Sequence, residues 1–370
     1  MLRMKHYVLL AVAVLMITTG VACGSVQQTT TSVNQNSLLA QANPANAAIT
    51  ATDVKAFGAV GDGVTDDSAA IQRAINSAAC IRFSPGTYKV NQPLTLRSNR
   101  TILGNGAVIA MDSQAKATHV FYVRNISNVT IEDLNIIGGP LDKLGAYGNA
   151  SNNYIYAIQF EAAHDITLKN VYGKCLDYFL KLDQDVYNVN VTNARCELVV
   201  MPIYIGRHSH DITITDCNFN QPDKNNYTID HRNHPFYILN AHDITLQNIH
   251  VSGGQGFAIH VDSSGYSAYA DKLTYNLKVS NMVIEDSWGE PIWLNSAENV
   301  VIDGLIFNNK LNSGRQVPHI TINNSKNITL SNAQFSGGNW TTNGAPIVSV
   351  NTTEGVIFKD VFLNGESINF

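Results

Sequence analysis

Aliphatic and polar residues alternate in a short pattern that recurs along most of the chain. Each copy begins with Asn or Asp, as in Asp165-Ile166-Thr167-Leu168. Copies begin at Asn128, Asp165, Asn188, Asp211, Asp243, Asn276, Asn299 and Asn327, with a degenerate copy at Gly355. Consecutive copies lie 23 to 37 residues apart. This spacing suits one coil of a solenoid with variable loops, and excludes two-residue hairpin turns. The pattern predicts an all-β, right-handed parallel β-helix.

A second strand of four residues precedes each copy from Asp165 onward, and its alternation predicts which side chains point into the core. The predicted inward pairs include Ile158/Phe160, Leu180/Leu182, Tyr237/Leu239, Ile259/Val261 and Ile292/Leu294. The outward positions of the same strands form a predicted column along the stack: Gln159, Lys181, Tyr204, Ile238, His260, Trp293, Thr321 and Ser349. Stacked coils lie about 4.8 Å apart, so one extended ligand could contact several of these side chains.

The segment before the repeats predicts a short helix at Ser68–Asn76, with Ile71, Ala74 and Ile75 on one side and Thr65 or Asp66 as its N-cap. Such a helix would cover the open end of the stack. This segment, together with Phe83-Ser84-Pro85-Gly86-Thr87-Tyr88, resembles the opening signature of the pectate-lyase-like single-stranded right-handed β-helix superfamily. That superfamily includes family 28 glycoside hydrolases, rhamnogalacturonase/epimerase-like proteins and phage tailspikes. The resemblance covers about residues 53 to 370 and implies the fold more strongly than any one activity.

The N-terminus predicts export. Arg3 and Lys5 precede an apolar run, Tyr7 to Ile17, that is too short to span a bilayer. Residues 1–22 therefore resemble a signal peptide, and the sequence around Cys23 resembles the lipobox of bacterial lipoproteins. We expect lipidation of Cys23, a flexible tether over 23–52 and a β-helix domain over 53–370. The expected location is the cell envelope, as an outer-membrane lipoprotein, or else the periplasm or medium.

The composition limits the classes of partner that we expect this protein to bind. The net charge of −5 gives no indication of nucleic acid as a partner. No spacing of Cys or His indicates a metal site, and nothing indicates a cofactor. Oligomeric state stays open. The remaining cysteines, Cys80, Cys175, Cys196 and Cys217, could form two disulfides, but their apolar neighbours favour buried free thiols.

Candidate functional residues concentrate on the outward side of the middle coils and in the insertions that precede two of their strands. The candidate catalytic residues are His260, Asp262, Glu290, Asp177 and Asp183. The candidate substrate-binding residues are Lys181, Tyr204, Arg207, His231, Arg232, His234, Trp288 and Trp293. We expect the proximity of Asp262, about 7 Å along the strand, to raise the pKa of His260.

Two chemistries fit these residues. Hydrolysis with inversion needs two carboxyl groups about 6.5–9.5 Å apart, for which Asp177, Asp183, Asp262 and Glu290 are candidates. A lyase or epimerase instead needs a base for the C5 proton of a uronic acid and a cation beside its carboxylate. His260, His234 or His231 would be the base, Lys181, Arg207 or Arg232 the cation, and Tyr204 the proton donor.

The resemblance to polygalacturonases departs at their catalytic motifs. The Asn-Thr-Asp-Gly, paired-Asp, Gly-His-Gly and Arg-x-Lys segments of that family are replaced here by segments such as Asp177-Tyr178-Phe179 and His234-Pro235. Polygalacturonase activity is therefore not implied. The main hypothesis is an exported glycoside hydrolase or polysaccharide lyase acting on a glycan, and glycans that contain uronic acid are among the candidates. The alternative is a non-catalytic carbohydrate-binding or surface-displayed β-helix. A tailspike-like depolymerase is disfavoured by the export signal.

Overall fold

A computed structural model describes residues 50–111, 119–139, 155–221, 234–254, 256–263, 273–287, 291–308, 320–336, 348–351 and 353–367. The predicted signal peptide, Cys23 and most of the tether lie outside the described residues, so lipidation stays a prediction. In the described part of the chain, no helix has the length and apolar character needed to cross a membrane.

The N-terminal segment contains two short strands, which pair with the strands of the next coil, and the only α-helix in the described ranges. It comprises β1 (Thr52–Asp53), a 3₁₀ helix (Val54–Phe57), β2 (Asp62–Asp66) and α1 (Ser68–Ser77). The first coils follow as β3 (Cys80–Arg82), β4 (Thr87–Val90), β5 (Arg100–Leu103), β6 (Val108–Met111), β7 (His119–Arg124), β8 (Ser127–Glu132) and β9 (Asn135–Ile137).

The later coils contain longer strands, several of which continue around a corner of the coil. These are β10 (Tyr156–Glu161), β11 (His164–Lys169), β12 (Tyr172–Asp183), β13 (Tyr187–Thr192), β14 (Arg195–Gly206), β15 (His210–Asn220), β16 (Phe236–Leu239), β17 (His242–Ser252), β18 (Ile259–Asp262), β19 (Thr274–Glu285), β20 (Ile292–Asn295), β21 (Ala297–Asn308), β22 (Ile320–Asn323), β23 (Lys326–Ser336), β24 (Val348–Asn351), β25 (Glu354–Leu363) and β26 (Glu366–Ser367).

Every described pairing is parallel except that of β25 with β26, and each strand pairs with the equivalent strand one coil away. The predicted parallel β-helix is therefore confirmed. One face, called face A here, consists of β7, β10, the ends of β12 and β14, then β16, β18, β20, β22 and β24. The repeat strands that begin at β8 and β11 form face B, and the strands stacked on β9 form face C.

The Asn or Asp that begins each repeat occupies a left-handed backbone conformation, with φ between 52° and 57° from Asn128 to Asn327. Asn and Asp tolerate this region better than other residues with a Cβ. Their side chains also bond from coil to coil: Asn276 Nδ2 donates to Asp243 Oδ1 at 2.8 Å, and Asn327 Nδ2 to Asn299 Oδ1 at 3.0 Å. The repeated Asn and Asp thus fix both the turn and the stacking.

Inward side chains form one continuous core that includes the predicted Ile, Leu and Phe pairs. Helix α1 closes its N-terminal end through Ile71 and Ile75, both fully buried. The predicted N-cap was wrong by one residue: Asp67 is the N-cap, and its carboxylate accepts from the N–H groups of Val60 and Gly61 at 2.6 and 3.0 Å instead of capping the helix. Backbone N–H groups of the preceding loop thus occupy the carboxylate that would otherwise accept from the first turn of the helix.

The inward assignment of Tyr237 and Leu239 was also wrong. Tyr237 pairs with Tyr204 and His260 in the outward column of face A, whereas Phe236 and Ile238 are fully buried in the core. Ile238 therefore does not face outward. The run from Phe236 to Leu239 is apolar throughout, so alternation does not specify its register.

Three cysteines, Cys175, Cys196 and Cys217, are free and buried, as the apolar neighbours predicted. Cys80 is disulfide-bonded, so the expectation of a free thiol there was wrong.

Candidate functional site

Two cations and one carboxylate form what we call the charged cluster of face A: Lys181, Asp183 and Arg207. Lys181 Nζ lies 3.1 Å from Asp183 Oδ2, and Arg207 Nε lies 3.3 Å from Asp183 Oδ1, an ion-pair contact without good hydrogen-bond geometry. The Asp183 side chain is 5% exposed, the Lys181 side chain 19% and the Arg207 side chain 32%. The cluster thus places one buried carboxylate between two partly exposed cations.

Aromatic rings hold Lys181 in place. Its Nζ lies 5.5 Å from the ring centroid of Tyr156 and 5.3 Å from that of Tyr204, within the range of cation–π attraction. Tyr204 lies over Gly206, where a Cβ would stand 2.7 Å from the phenol oxygen. Glycine at position 206 is therefore required for Tyr204 to occupy the space beside the charged cluster.

The coils before the charged cluster carry a second polar network. Glu161 accepts from Gln159 Nε2 at 2.7 Å and from the Tyr122 hydroxyl at 3.3 Å, and it pairs with Arg124 at 2.8 Å. His119 Nε2 lies 2.9 Å from Gln159 Oε1, and burial lowers the pKa of His119. These groups satisfy one another, so we assign them no chemistry.

Farther along the same column, five side chains form what we call the imidazole cluster: His234, Tyr237, Phe257, His260 and Trp293. The ring of His260 lies in its centre, with centroid distances of 4.3 Å to His234, 4.8 Å to Tyr237 and 4.8 Å to Phe257. Trp293 lies 4.8 Å from Phe257 and 6.3 Å from His260. Strand pairing of β16, β18 and β20 brings Tyr237, His260 and Trp293 into this row.

Both histidines of this cluster are held neutral. Burial lowers the pKa of His260 to about 4, so the expectation of a raised pKa was wrong. Burial and the neighbouring His260 ring lower the pKa of His234 to about 3. His234 Nδ1 accepts from the Phe257 N–H at 2.9 Å, which orients its ring. Removal from water thus outweighs any effect of Asp262 on His260.

Two nitrogen atoms in the imidazole cluster are buried without a hydrogen-bond partner in the described structure, His260 Nδ1 and Trp293 Nε1. Leaving a buried polar atom unpaired costs about 1–3 kcal/mol. Native proteins accept this cost rarely, and it is one mark of a functional site. Within the described ranges, no group of three His, Cys, Asp or Glu side chains is arranged to hold a metal ion.

The described carboxylates of the candidate site do not converge. Asp177 is 2% exposed and accepts from the Ile155 N–H at 2.8 Å, which anchors the start of β10. Asp262 accepts from Asn295 Nδ2 at 3.2 Å. Strand register places Asp183 and Asp262 three coils apart, or roughly 14 Å, too far for an inverting pair. Of the remaining candidates, Glu290, Trp288, His231 and Arg232 lie outside the described residues.

Three outward-facing side chains between the two clusters are buried: Met201, Tyr204 and Leu239, which are 4%, 8% and 1% exposed. Tyr178 and Tyr237 pack against them. This small apolar cluster separates the charged cluster from the imidazole cluster along face A.

Sequence reasoning missed Tyr237, Phe257 and Tyr156 as members of the site. The sequence did contain a signal for Tyr237. In three other coils the first inward residue of the face A strand, Ile158, Ile292 or Ile320, lies seven positions before the Asn or Asp that begins the next repeat. Counting back from Asp243 in the same way selects Phe236 as inward and Tyr237 as outward.

Together, the stacked coils and their polar, aromatic outward face define a parallel β-helix protein of the pectate-lyase-like class. The family described as "Rhamnogalacturonase A/epimerase, pectate lyase-like" matches residues 51–314. Because this match covers most of the chain, the chain belongs to that family.

Enzymes are found both among the proteins similar in sequence to this chain and among the solved structures similar to its fold. Mannuronan C5-epimerase AlgE1 of Azotobacter vinelandii is 28% identical over 235 residues, which are 58% of this chain and 16% of the relative. The A-module of mannuronan C-5 epimerase AlgE6 of the same organism has a TM-score of 0.60 at 18% identity, covering 84% of this chain and 79% of that one. Endo-xylogalacturonan hydrolase of Aspergillus tubingensis has a TM-score of 0.57 at 14% identity, covering 85% and 92%. The two structures show the shared fold.

Proposed function

We propose that this protein binds a polysaccharide containing uronic acids along face A and removes the C5 proton of a bound uronate, with His260 as the base. The observation that carries this proposal is a neutral imidazole at the centre of an aromatic cluster, with an unpaired buried nitrogen. The family match and the similarity to a mannuronan C5-epimerase support the substrate class.

The chemistry follows from the positions of the side chains. His260 takes the C5 proton as the C5–H bond breaks, and the electron pair moves into the uronate carboxylate. Return of a proton to the opposite side of C5 completes an epimerisation. Cleavage of the C4–O bond instead forms a C4=C5 double bond and releases a shorter chain, whose oxygen takes up a proton. The Tyr237 hydroxyl, one strand from His260, is the proposed proton donor in both cases.

A cation beside the reacting carboxylate would stabilise the charge that develops on it. The charged cluster is three coils from His260 and too distant for this role. We propose Arg232 for it, because Arg232 is two residues before His234 in the sequence. Trp293 offers an aromatic surface one coil beyond His260, on which a sugar ring can stack.

The second candidate function is carbohydrate binding without catalysis. It is favoured by the pairing of every described candidate carboxylate: Asp177 with Ile155, Asp183 with Lys181 and Arg207, and Asp262 with Asn295. Such pairing leaves no described carboxylate available as nucleophile or acid, but it does not affect a histidine base.

A panel of uronic-acid polysaccharides, each with a carboxyl-reduced counterpart, tests the proposal. We expect turnover of at least one acidic polymer, seen as inverted C5 stereochemistry or as ultraviolet-absorbing unsaturated ends, and no turnover of its reduced counterpart. New reducing ends without unsaturation, lost in Glu290→Gln, would show a hydrolase and contradict the proposal. Binding without any product would support the second candidate.

A further inference from the structure

The second histidine of the imidazole cluster has no part in the chemistry proposed for His260. We propose that His234 is a positioning residue: with Phe257 it forms a pair of parallel rings, called the ring pair here, that holds the His260 side chain in one orientation and screens it from water. This inference rests on the proposed function for its link to turnover, while the effect of the ring pair on His260 rests on the contacts within the cluster.

Two contacts join the members of the ring pair. The rings of His234 and Phe257 differ by 8° in plane, with centroids 5.4 Å apart. The Phe257 N–H also donates to His234 Nδ1 at 2.9 Å. Phenylalanine at position 234 would keep the ring contact and lose the acceptor, whereas asparagine would keep an acceptor and lose the ring. Histidine supplies both, which explains the choice of a histidine that is only 5% exposed.

The ring of His260 packs nearly perpendicular to both members of the ring pair. Its plane makes 71° with that of His234 and 63° with that of Phe257, at centroid distances of 4.3 and 4.8 Å. Edge-to-face packing of this kind is a preferred arrangement of aromatic rings. Because the backbone of His260 is fixed in β18 and its ring meets two rings at steep angles, its side chain has little freedom to rotate.

The hydrogen bond within the ring pair also fixes the protonation state of His234. Since Nδ1 accepts from a backbone N–H, the proton of the neutral ring is on Nε2, and a second proton on Nδ1 would break the bond. Burial, followed by the neighbouring His260, lowers the pKa of His234 to about 3, below the value of about 4 for His260. The ring pair therefore stays intact over the pH range in which His260 gains its proton.

Few other described titratable groups face the two histidines. Tyr237, on the preceding coil, has its ring 4.8 Å from that of His260 and 5.8 Å from that of His234. Asp262 follows His260 by two residues on β18. The described residues of β20 and of the connection before β18 include no charged side chain. Screening from water, rather than a neighbouring cation, thus keeps His260 neutral, and removal of a screening ring should raise its pKa.

NMR titration of histidine-labelled protein from pH 3 to 8 measures the pKa of His260 without any substrate, with His260→Ala to assign its signal. We expect about 4 in the wild-type protein and a rise of about one pH unit or more in His234→Ala, toward the ordinary value of about 6.5. His234→Phe, which keeps a ring, should retain the low value. His250→Ala is the matched control, because His250 pairs with Glu285 on face C, at 3.3 Å. Circular dichroism verifies that each variant is folded.

The outcomes separate this inference from the proposed function. A raised pKa of His260 in His234→Ala, with the low value kept in His234→Phe, supports the ring pair even if no polymer is turned over. An unchanged pKa in His234→Ala, or an equal rise in His234→Phe, would overturn it even if C5 chemistry is observed. His234→Asn, which keeps an acceptor for the Phe257 N–H, should raise the pKa as alanine does and decides the matter if His234→Ala does not fold.

Discussion

At the β12 and β14 coils of face A, Asp183 holds Lys181 and Arg207 at ion-pair distance, with both cations partly exposed. Three coils after Lys181, His260 lies among His234, Tyr237, Phe257 and Trp293, where burial lowers its pKa to about 4. The same sheet thus supports a fixed charge in one place and suppresses charge in another. The first arrangement suits binding of an anion, and the second suits a neutral base.

The different environments of Lys181 and His260 follow from the side chains that each of them contacts. Lys181 lies between two tyrosine rings and two residues before a buried aspartate, so its charge is compensated. The described side chains that His260 contacts through its ring are the rings of His234, Tyr237 and Phe257. Its Nδ1 has no hydrogen-bond partner among the described atoms. The buried Met201 and Leu239 lie between the two clusters and keep them apart.

The largest effect is expected from His260→Ala. Loss of a general base typically costs 10²–10⁴-fold in rate, and we expect a fall in kcat in that range, with polymer binding retained. The matched control is His242→Ala, which removes a histidine stacked on His210 and Tyr275 at a corner of the coil, outside face A. Equal activity of His260→Ala and wild type on a confirmed substrate would remove His260 from the mechanism.

The next effect is the acid limb of the pH–rate profile. His260 must be unprotonated to accept a proton, so kcat/KM should be constant above the pKa of about 4 and fall as pH drops through it, approaching tenfold per pH unit. Measurement of kcat/KM from pH 3 to 8, alongside circular dichroism to verify folding, checks this. A midpoint near the ordinary histidine value of about 6.5 would contradict the burial of His260 as the base.

A smaller effect is expected from Trp293→Ala. Loss of the stacking surface should raise KM by about tenfold or less and leave kcat nearly unchanged, since aromatic stacking contributes about 0.5–1.5 kcal/mol. Trp293→Phe is the matched variant: it keeps a ring beside Phe257 and should restore most of the affinity. If kcat fell instead of KM rising, Trp293 would be positioning His260 rather than binding sugar.

The smallest effect on activity is expected from Asn276→Ala, a change in the scaffold away from both clusters. Asn276 has φ of 55° and bonds to Asp243 and Asn299, so alanine should lower the free energy of unfolding by about 2 kcal/mol. Asn276→Gly should lose less, because glycine accepts this backbone and Gly355 already occupies the equivalent place. Chemical denaturation of the three proteins measures the order. An Asn276→Ala variant as stable as the wild-type protein would contradict this prediction.

The fold could be predicted because its information is local and repeated. Every coil carries the same two signals, an Asn or Asp at a left-handed turn and a buried pair of aliphatic residues. The capping helix was predicted within one residue, as Ser68–Asn76 against the observed Ser68–Ser77. Errors occurred where repetition fails. The apolar run at Phe236 carries no alternation, and the N-cap depends on a loop that claims the Asp67 carboxylate.

The site could be predicted only in part. Alternation identified Lys181, Tyr204, His260 and Trp293 as one outward column, which the strand register confirms apart from Tyr237 in place of Ile238. The pKa of His260 could not be predicted, because it depends on burial by Phe257 and His234, which lie on connections rather than in the repeat. For the same reason, the pairing of Asp177 with Ile155 has no sequence signal.

The most direct test of the account is solvent exchange at C5. The wild-type protein and His260→Ala are incubated in D₂O with an acidic polymer that the wild type converts, and the sugars are analysed by NMR. We expect deuterium at C5, or loss of the C5 proton into an unsaturated end, with wild type and neither with His260→Ala. Polymer cleaved by wild type with its C5 protons retained would contradict proton abstraction by His260.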